Sequence, residues 1–207
     1  MRIEGKKLKK VSNKVNILES IDISISSDTI CGLLGPNGAG KTSLFSILAG
    51  LSKPSEGEVL YDSKIVNNLS FEKRSELGVI YLPQEPSVFR ELTVEENIKA
   101  ALEAKKFEKK EIDNKFTRIS EEFDLMGIKT QKCNSLSGGQ RRRVEIARAI
   151  ALNPKLILLD EPFAGIDPLI INEIKTLIKN LKEKGIGVLI SDHNVNATLD
   201  ICDYIYV

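Results

Sequence analysis

The chain has 207 residues, 42% hydrophobic and 29% charged, which suits one domain, or one domain with an inserted subdomain, and excludes a disordered polymer. Lys and Arg number 30 against 29 Asp and Glu, a net charge of +1, so the charge balance argues for no polyanionic partner and nucleic acid is not expected. Three scattered cysteines, Cys31, Cys133 and Cys202, exclude a disulfide framework or a Cys-x-x-Cys metal site, and no apolar run approaches the ~18 residues of a membrane span.

The basic start, residues 1–10, leads into no apolar stretch of signal-peptide length, and with the reduced cysteines it predicts a soluble, cytoplasmic chain. Residues from about 1 to 28, and again 57 to 61, alternate polar and apolar, as a partly exposed antiparallel sheet would. Four short apolar runs follow in the chain: 30–34 (ICGLL), 78–82 (GVIYL), 156–159 (LILL) and 187–190 (GVLI). Unbroken apolar runs of this length, flanked by glycine, predict strands covered on both faces of a parallel sheet. Thr93 with Glu96 has the spacing of a capping box and opens a helix from about Val94. From about 93 to 134 the chain is rich in Lys and Glu, with Phe107, Phe116, Ile119, Phe123 and Met126 at helical spacing. That predicts a helical insertion whose charges form a solvated face. Further on, Asp167 is a suitable N-cap, Pro168 a first-turn residue and Gly185 a stop, around the periodic Ile170, Ile174, Leu177, Ile178 and Leu181. Strands alternating with helices predict a doubly wound α/β sheet.

Three motifs carry chemistry. Gly35-Pro36-Asn37-Gly38-Ala39-Gly40-Lys41-Thr42 matches the phosphate-binding P-loop, G-x-x-x-x-G-K-S/T, between an apolar strand and an apolar helix. Glycines let backbone N–H groups surround phosphate oxygens, and the helix start adds its positive end. Lys41 brings a charge for the β- and γ-phosphates, the Thr42 hydroxyl can ligate Mg²⁺, and Ser43 extends the same turn. The run 156–159 then ends in Asp160 and Glu161, at the strand edge where α/β sheets bind ligands. Asp160 suits a water-mediated hold on Mg²⁺, and Glu161 suits orienting or deprotonating a water. In Leu136-Ser137-Gly138-Gly139-Gln140, Ser137 and Gln140 have capping-box spacing, and two glycines leave amides bare. This is a second anion-binding helix tip.

Those three motifs, in that order, resemble the ATP-binding cassette of ABC transporters over nearly the whole chain. The resemblance implies a single ABC ATP-binding domain over 1–207. Its parts would be a P-loop NTPase core with a mostly parallel sheet, an N-terminal antiparallel β subdomain and an inserted helical subdomain at about 93–150. Gln84 is similar to the family's Q-loop glutamine, a metal ligand and sensor. Residues 164–167 (AGID) resemble its D-loop. His193, the single histidine, resembles the switch histidine that contacts the γ-phosphate, and Glu161 becomes the base. Two copies are then expected to pair head to tail, so that the P-loop of one and residues 136–140 of the other enclose each ATP. Mg²⁺ would sit at Thr42, Gln84 and Asp160. Transmembrane transporter subunits are implied as partners, which places the chain peripherally on the cytoplasmic face of the inner membrane. A narrower likeness lies in YLPQEPSVFRELTVEEN at 81–97, QRRRVEIA at 140–147, EPFAGID at 161–167 and DHNV at 192–195. These runs resemble the ATPase subunits of lipopolysaccharide export transporters. Branched-chain amino acid importer ATPases and the iron–sulfur assembly type are the alternatives. Phe89 and Arg90 are either a docking point for a membrane subunit or a surface loop with a packed ring.

Two departures stand out. Such cassettes stack an aromatic residue on adenine, yet the first aromatic residue here is Phe45, and the stacking position falls near Ser12. A lost stack costs about 1–3 kcal/mol, whereas each charge-assisted hydrogen bond to phosphate contributes roughly 1.5–3 kcal/mol. ATP is therefore expected to bind, about 10- to 100-fold more weakly, with little base selectivity. The chain also stops at Val207, inside an apparent strand that begins at Tyr204, so a short C-terminal end is expected relative to the family.

Overall fold

A computed structural model describes residues 1–105 and 107–207. The alternating N-terminal pattern becomes β1 (Arg2–Ser12) and β2 (Val15–Ser26), paired antiparallel. With β4 (Glu56–Tyr61) and β5 (Lys64–Ile65) they form a four-stranded sheet in the order β2-β1-β4-β5. The apolar runs become β3 (Ile30–Leu33), β6 (Val79–Leu82), β7 (Leu156–Asp160) and β8 (Gly187–Ser191), joined by β9 (Tyr204–Tyr206). These order as β6-β7-β8-β3-β9 with every pair parallel.

Parallel strands need covering on both faces, and the period of two along β7 shows how this is met. Leu156 and Leu158 face a core shared with the antiparallel sheet and helix α1 (Lys41–Ala49). Ile157 and Leu159 face a second core, shared with α3 (Val94–Ala104), α4 (Lys109–Glu122), α5 (Gly138–Ala151) and α6 (Pro168–Glu183). Two shorter helices, α2 (Phe71–Glu76) and α7 (Val195–Leu199), complete the set among the described residues. Both predicted capping boxes form: Thr93 and Glu96 exchange bonds at the start of α3, and Ser137 and Gln140 do so at α5. Asp167 caps α6 by accepting from the Leu169 N–H at 2.9 Å.

One expectation is refined. Phe107 and Met126 flank α4 instead of lying in it. The helix stops at Glu122 because Asp124 takes a left-handed φ of 51°, and Met126 enters a 3₁₀ turn with 37% exposure.

The C-terminus of α1 is secured by a residue outside its own segment. Arg74, on α2 and 1% exposed, donates to four backbone carbonyls. Nη1 reaches Ile47 O at 2.8 Å and Leu48 O at 3.0 Å, Nη2 reaches Val66 O at 2.8 Å, and Nε reaches Leu69 O at 3.2 Å. A cation there complements the negative helix end, and its planar fork reaches four carbonyls that an ammonium would reach less completely. Arg74→Met should lower unfolding stability by about 3 kcal/mol, because four buried carbonyls each lose a charged donor. Arg74→Lys should restore only part of that. Urea denaturation is the check, and a loss below about 1 kcal/mol would show that water replaces the guanidinium.

Candidate functional site

The loop between β3 and α1 turns on glycine. Gly38 and Gly40 have φ of 80° and 89°, in the left-handed region. A Cβ on Gly40 would meet Ile17 O at 2.7 Å, so the loop is held close against β2. Gly40 is also the N-cap of α1, with no side-chain cap and no acidic residue in the first turn. The amides of that turn therefore stay open to an anion. Lys41 Nζ donates to Gly35 O at 2.7 Å and Pro36 O at 2.9 Å, which keeps its charge over the loop.

Facing this loop is the carboxylate pair at the end of β7. Asp160 is 2% exposed and accepts from the Tyr81 hydroxyl at 3.2 Å. Burial pushes its pKa up from the usual carboxylate range, and hydrogen bonds from Thr42 and Tyr81 pull the other way. Burial likewise raises the Tyr81 phenol, with the Asp160 charge adding to it, so Tyr81 stays a donor. Glu161 turns out of the strand with a φ of 47°. Its Oε2 accepts from Gln84 Nε2 at 2.7 Å, and its Oε1 lies 2.7 Å from His193 Nε2. A cavity of about 460 Å³ is lined by residues 37–43, Ile17, Glu161 and His193.

The second helix tip opens elsewhere. Gly138 lines a separate cavity with Gln84, Glu161, Ala164 and Gly165. A Cβ on Gly139 would sit 2.5 Å from Ile170 Cγ2, and one on Gly138 would sit 3.1 Å from Gly165 O. Gly139 thus packs closely on Ile170 of α6, and Gly138 lies tight against the 164–167 loop. Within one chain Glu161 borders both cavities, while Ser137 and Gln140 line neither.

The structure thus gathers Gly35, Pro36, Lys41, Thr42, Asp160, Glu161, Gln84 and His193 around one sheet edge, while residues 137–140 do not line the P-loop cavity and Gly138 instead shares a second cavity with Gln84 and Glu161. Ser12 lies exposed at the end of β1, outside the cavity lining, where Ile17 is the apolar side chain. Phe89 is 53% exposed, with Arg148 over its ring at 4.8 Å, and Arg90 is exposed beside it. Sequence reasoning missed Tyr81, read only as part of an apolar run. It also missed Asp192, a buried carboxylate next to His193.

A P-loop between a buried parallel strand and a helix, with two carboxylates ending a strand one place removed in the same sheet, defines a P-loop ATPase. Residues 18–164 match the ABC transporter family, and the chain belongs to it. It is accordingly an ATP-binding and ATP-hydrolysing protein. It is 46% identical over 192 residues to the lipopolysaccharide export system ATP-binding protein LptB of Haemophilus influenzae, covering 92% of this chain and 80% of that protein. The LptB of Escherichia coli K12 is 42% identical over 206 residues, covering 99% and 86%. The ADP conformation of MJ1267, an ATP-binding cassette of an ABC transporter, superposes with a TM-score of 0.90 at 31% identity, covering 100% of this chain and 87% of that one. The dimeric post-hydrolysis state of the cassette MJ0796, bound to ADP and Pi, gives 0.83 at 28% identity, covering 95% and 90%.

No Phe, Tyr or Trp lines the P-loop cavity that Glu161 and His193 border; Tyr206 lines a different one, with residues 35, 36 and 39–41, that neither of them borders. Dissociation constants for ATP and GTP should therefore agree within about fivefold, measured by titration calorimetry. An ATP preference above about 30-fold would show that another group reads adenine.

Proposed function

We propose that this chain is the ATPase subunit of a lipopolysaccharide exporter, working as a head-to-tail pair bound to transmembrane subunits at the cytoplasmic face of the inner membrane. The likeness to LptB of two organisms, spanning 92% and 99% of this chain, supports the cargo. Among the described residues no helix is long and apolar enough to cross a membrane, so the pathway must lie in other subunits. The whole of 1–207 acts as one ATP-binding domain, with α3 to α5 as its helical subdomain at about 93–150.

The observation that carries the mechanism is Glu161, held at 2.7 Å by both Gln84 and His193 on the wall of the P-loop cavity. The open amides of α1, with Lys41, Thr42 and Ser43, bind the β- and γ-phosphates. His193 contacts the γ-phosphate, and Glu161 orients the attacking water and accepts its proton. The donor set at Thr42, Asp160 and Gln84 is oxygen-rich and fits Mg²⁺, which when bound neutralises phosphate charge. The tip at Ser137, Gly138, Gly139 and Gln140 serves the nucleotide of the second copy. The exposed Gly138 at the start of α5, and the absence of residues 137–140 from the lining of the P-loop cavity, support that reading. ATP favours the closed pair because only that state contacts it from both sides. The half-exposed ring of Phe89, with Arg90, supports docking of a membrane subunit beside Gln84.

Glu161→Gln should keep ATP affinity, accumulate as a dimer on size exclusion with ATP, and lose about 10²- to 10⁴-fold in phosphate release. Full turnover in that variant would remove the base. The same variant, stalled on ATP, should co-purify from membranes with transmembrane subunits that carry lipopolysaccharide. Recovery of amino acid importer subunits instead would refute the cargo.

A further inference from the structure

The carboxylate of Asp192 lies one residue before His193 and is 4% exposed. Both oxygens are used. Oδ2 accepts from the Phe163 N–H at 2.8 Å, and Oδ1 accepts from the Asn194 N–H at 2.8 Å. Among the described residues it has no cationic partner. A buried charge is tolerated only where hydrogen bonds replace its hydration, and these two backbone donors are what Asp192 has.

Those donors belong to different loops. Phe163 lies two residues past Glu161, after β7, and Asn194 lies one residue past His193, after β8. Glu161 has a φ of 47°, a conformation that non-glycine residues keep only when their surroundings impose it. Two bonds from the β8 edge impose it here. The Glu161 N–H donates to Ser191 O at 2.7 Å, and the Phe163 N–H donates to Asp192. On the other side, the Asn194 side chain accepts from Ala197 N at 3.0 Å and caps α7. His193 is therefore held between two anchored neighbours, and the same carboxylate anchors the turn that carries Glu161.

We propose that Asp192 is the positioning residue that sets Glu161 against His193, and that it controls turnover of bound ATP without contacting the nucleotide. The inference rests on Glu161 being the base, as argued above. It adds a residue whose effect should fall mainly on kcat, because apart from that of His193 the phosphate contacts are made by a different loop.

The test compares Asp192→Ala and Asp192→Asn with Glu161→Gln in the full chain. Calorimetry gives the ATP dissociation constant, phosphate release gives kcat and KM, and a thermal melt gives the folded fraction. Asp192→Ala should lower kcat about 10- to 100-fold, the scale of a misplaced reacting group, with ATP affinity within about twofold. Asp192→Asn keeps the volume and one acceptor, and should fall between it and the parent. If the alanine variant fails to fold, the asparagine variant carries the test, with a drop of at least about threefold expected. A purely structural role would lower the melting midpoint and leave kcat per folded molecule unchanged. That result, with Glu161→Gln inactive, would overturn the proposal, as would a loss confined to nucleotide affinity. Full turnover in Glu161→Gln would instead overturn the base assignment and the role of Asp192 with it.

Discussion

The register of the parallel sheet governs everything at the site. β3, β7 and β8 run side by side in one direction, so the chain leaves all three at the same edge. Asp160 pairs with Ser191, and the next residues along are Glu161 and Asp192. The loop after β3 is the P-loop. One pairing pattern thus brings a phosphate cradle, a carboxylate pair and a histidine together from three distant parts of the chain. A slip of one residue in β7 would turn Asp160 toward the opposite face and point Leu159 at the P-loop side.

Glu161 stands where those parts meet. It borders the cavity of its own P-loop and the cavity beside the α5 tip, and it is held by residues from two other loops. Gln84 follows β6, which also carries Tyr81, and Tyr81 bonds Asp160. β6 is therefore linked to both carboxylates. The segment after Gln84 is itself anchored to α5: Glu145 accepts from the Ser87 N–H at 2.6 Å and pairs with Arg142 at 2.8 Å in a buried contact.

Much of this was legible because local rules carried it. The P-loop declares itself by glycines with no substitute at left-handed φ, and Gly38 and Gly40 adopt it. Thr93 with Glu96 and Ser137 with Gln140 are capping boxes because each pair closes within one helical turn. The strands declared themselves as apolar runs because both of their faces are covered. Asp192 and Arg74 were not legible. Beside nearer partners, each has one far along the chain, Phe163 at 29 residues and Ile47 at 27, and no spacing rule links such pairs. Tyr81 was hidden because a phenol in an apolar strand looks like core until its hydroxyl finds a carboxylate.

The amino-acid order alone determined the elements and the chemical types at their ends, since strand pattern, helix caps and phosphate loop depend on neighbours a few residues apart. Tertiary structure decided which loops share an edge, and which glutamate oxygen meets glutamine and which meets histidine. Where the α5 tip is concerned, what is decided is that Gly138 lines a cavity with Gln84 and Glu161 and not the P-loop cavity. These are matters of packing between segments far apart in the chain, where geometry is set by the whole sheet and no short stretch contains it.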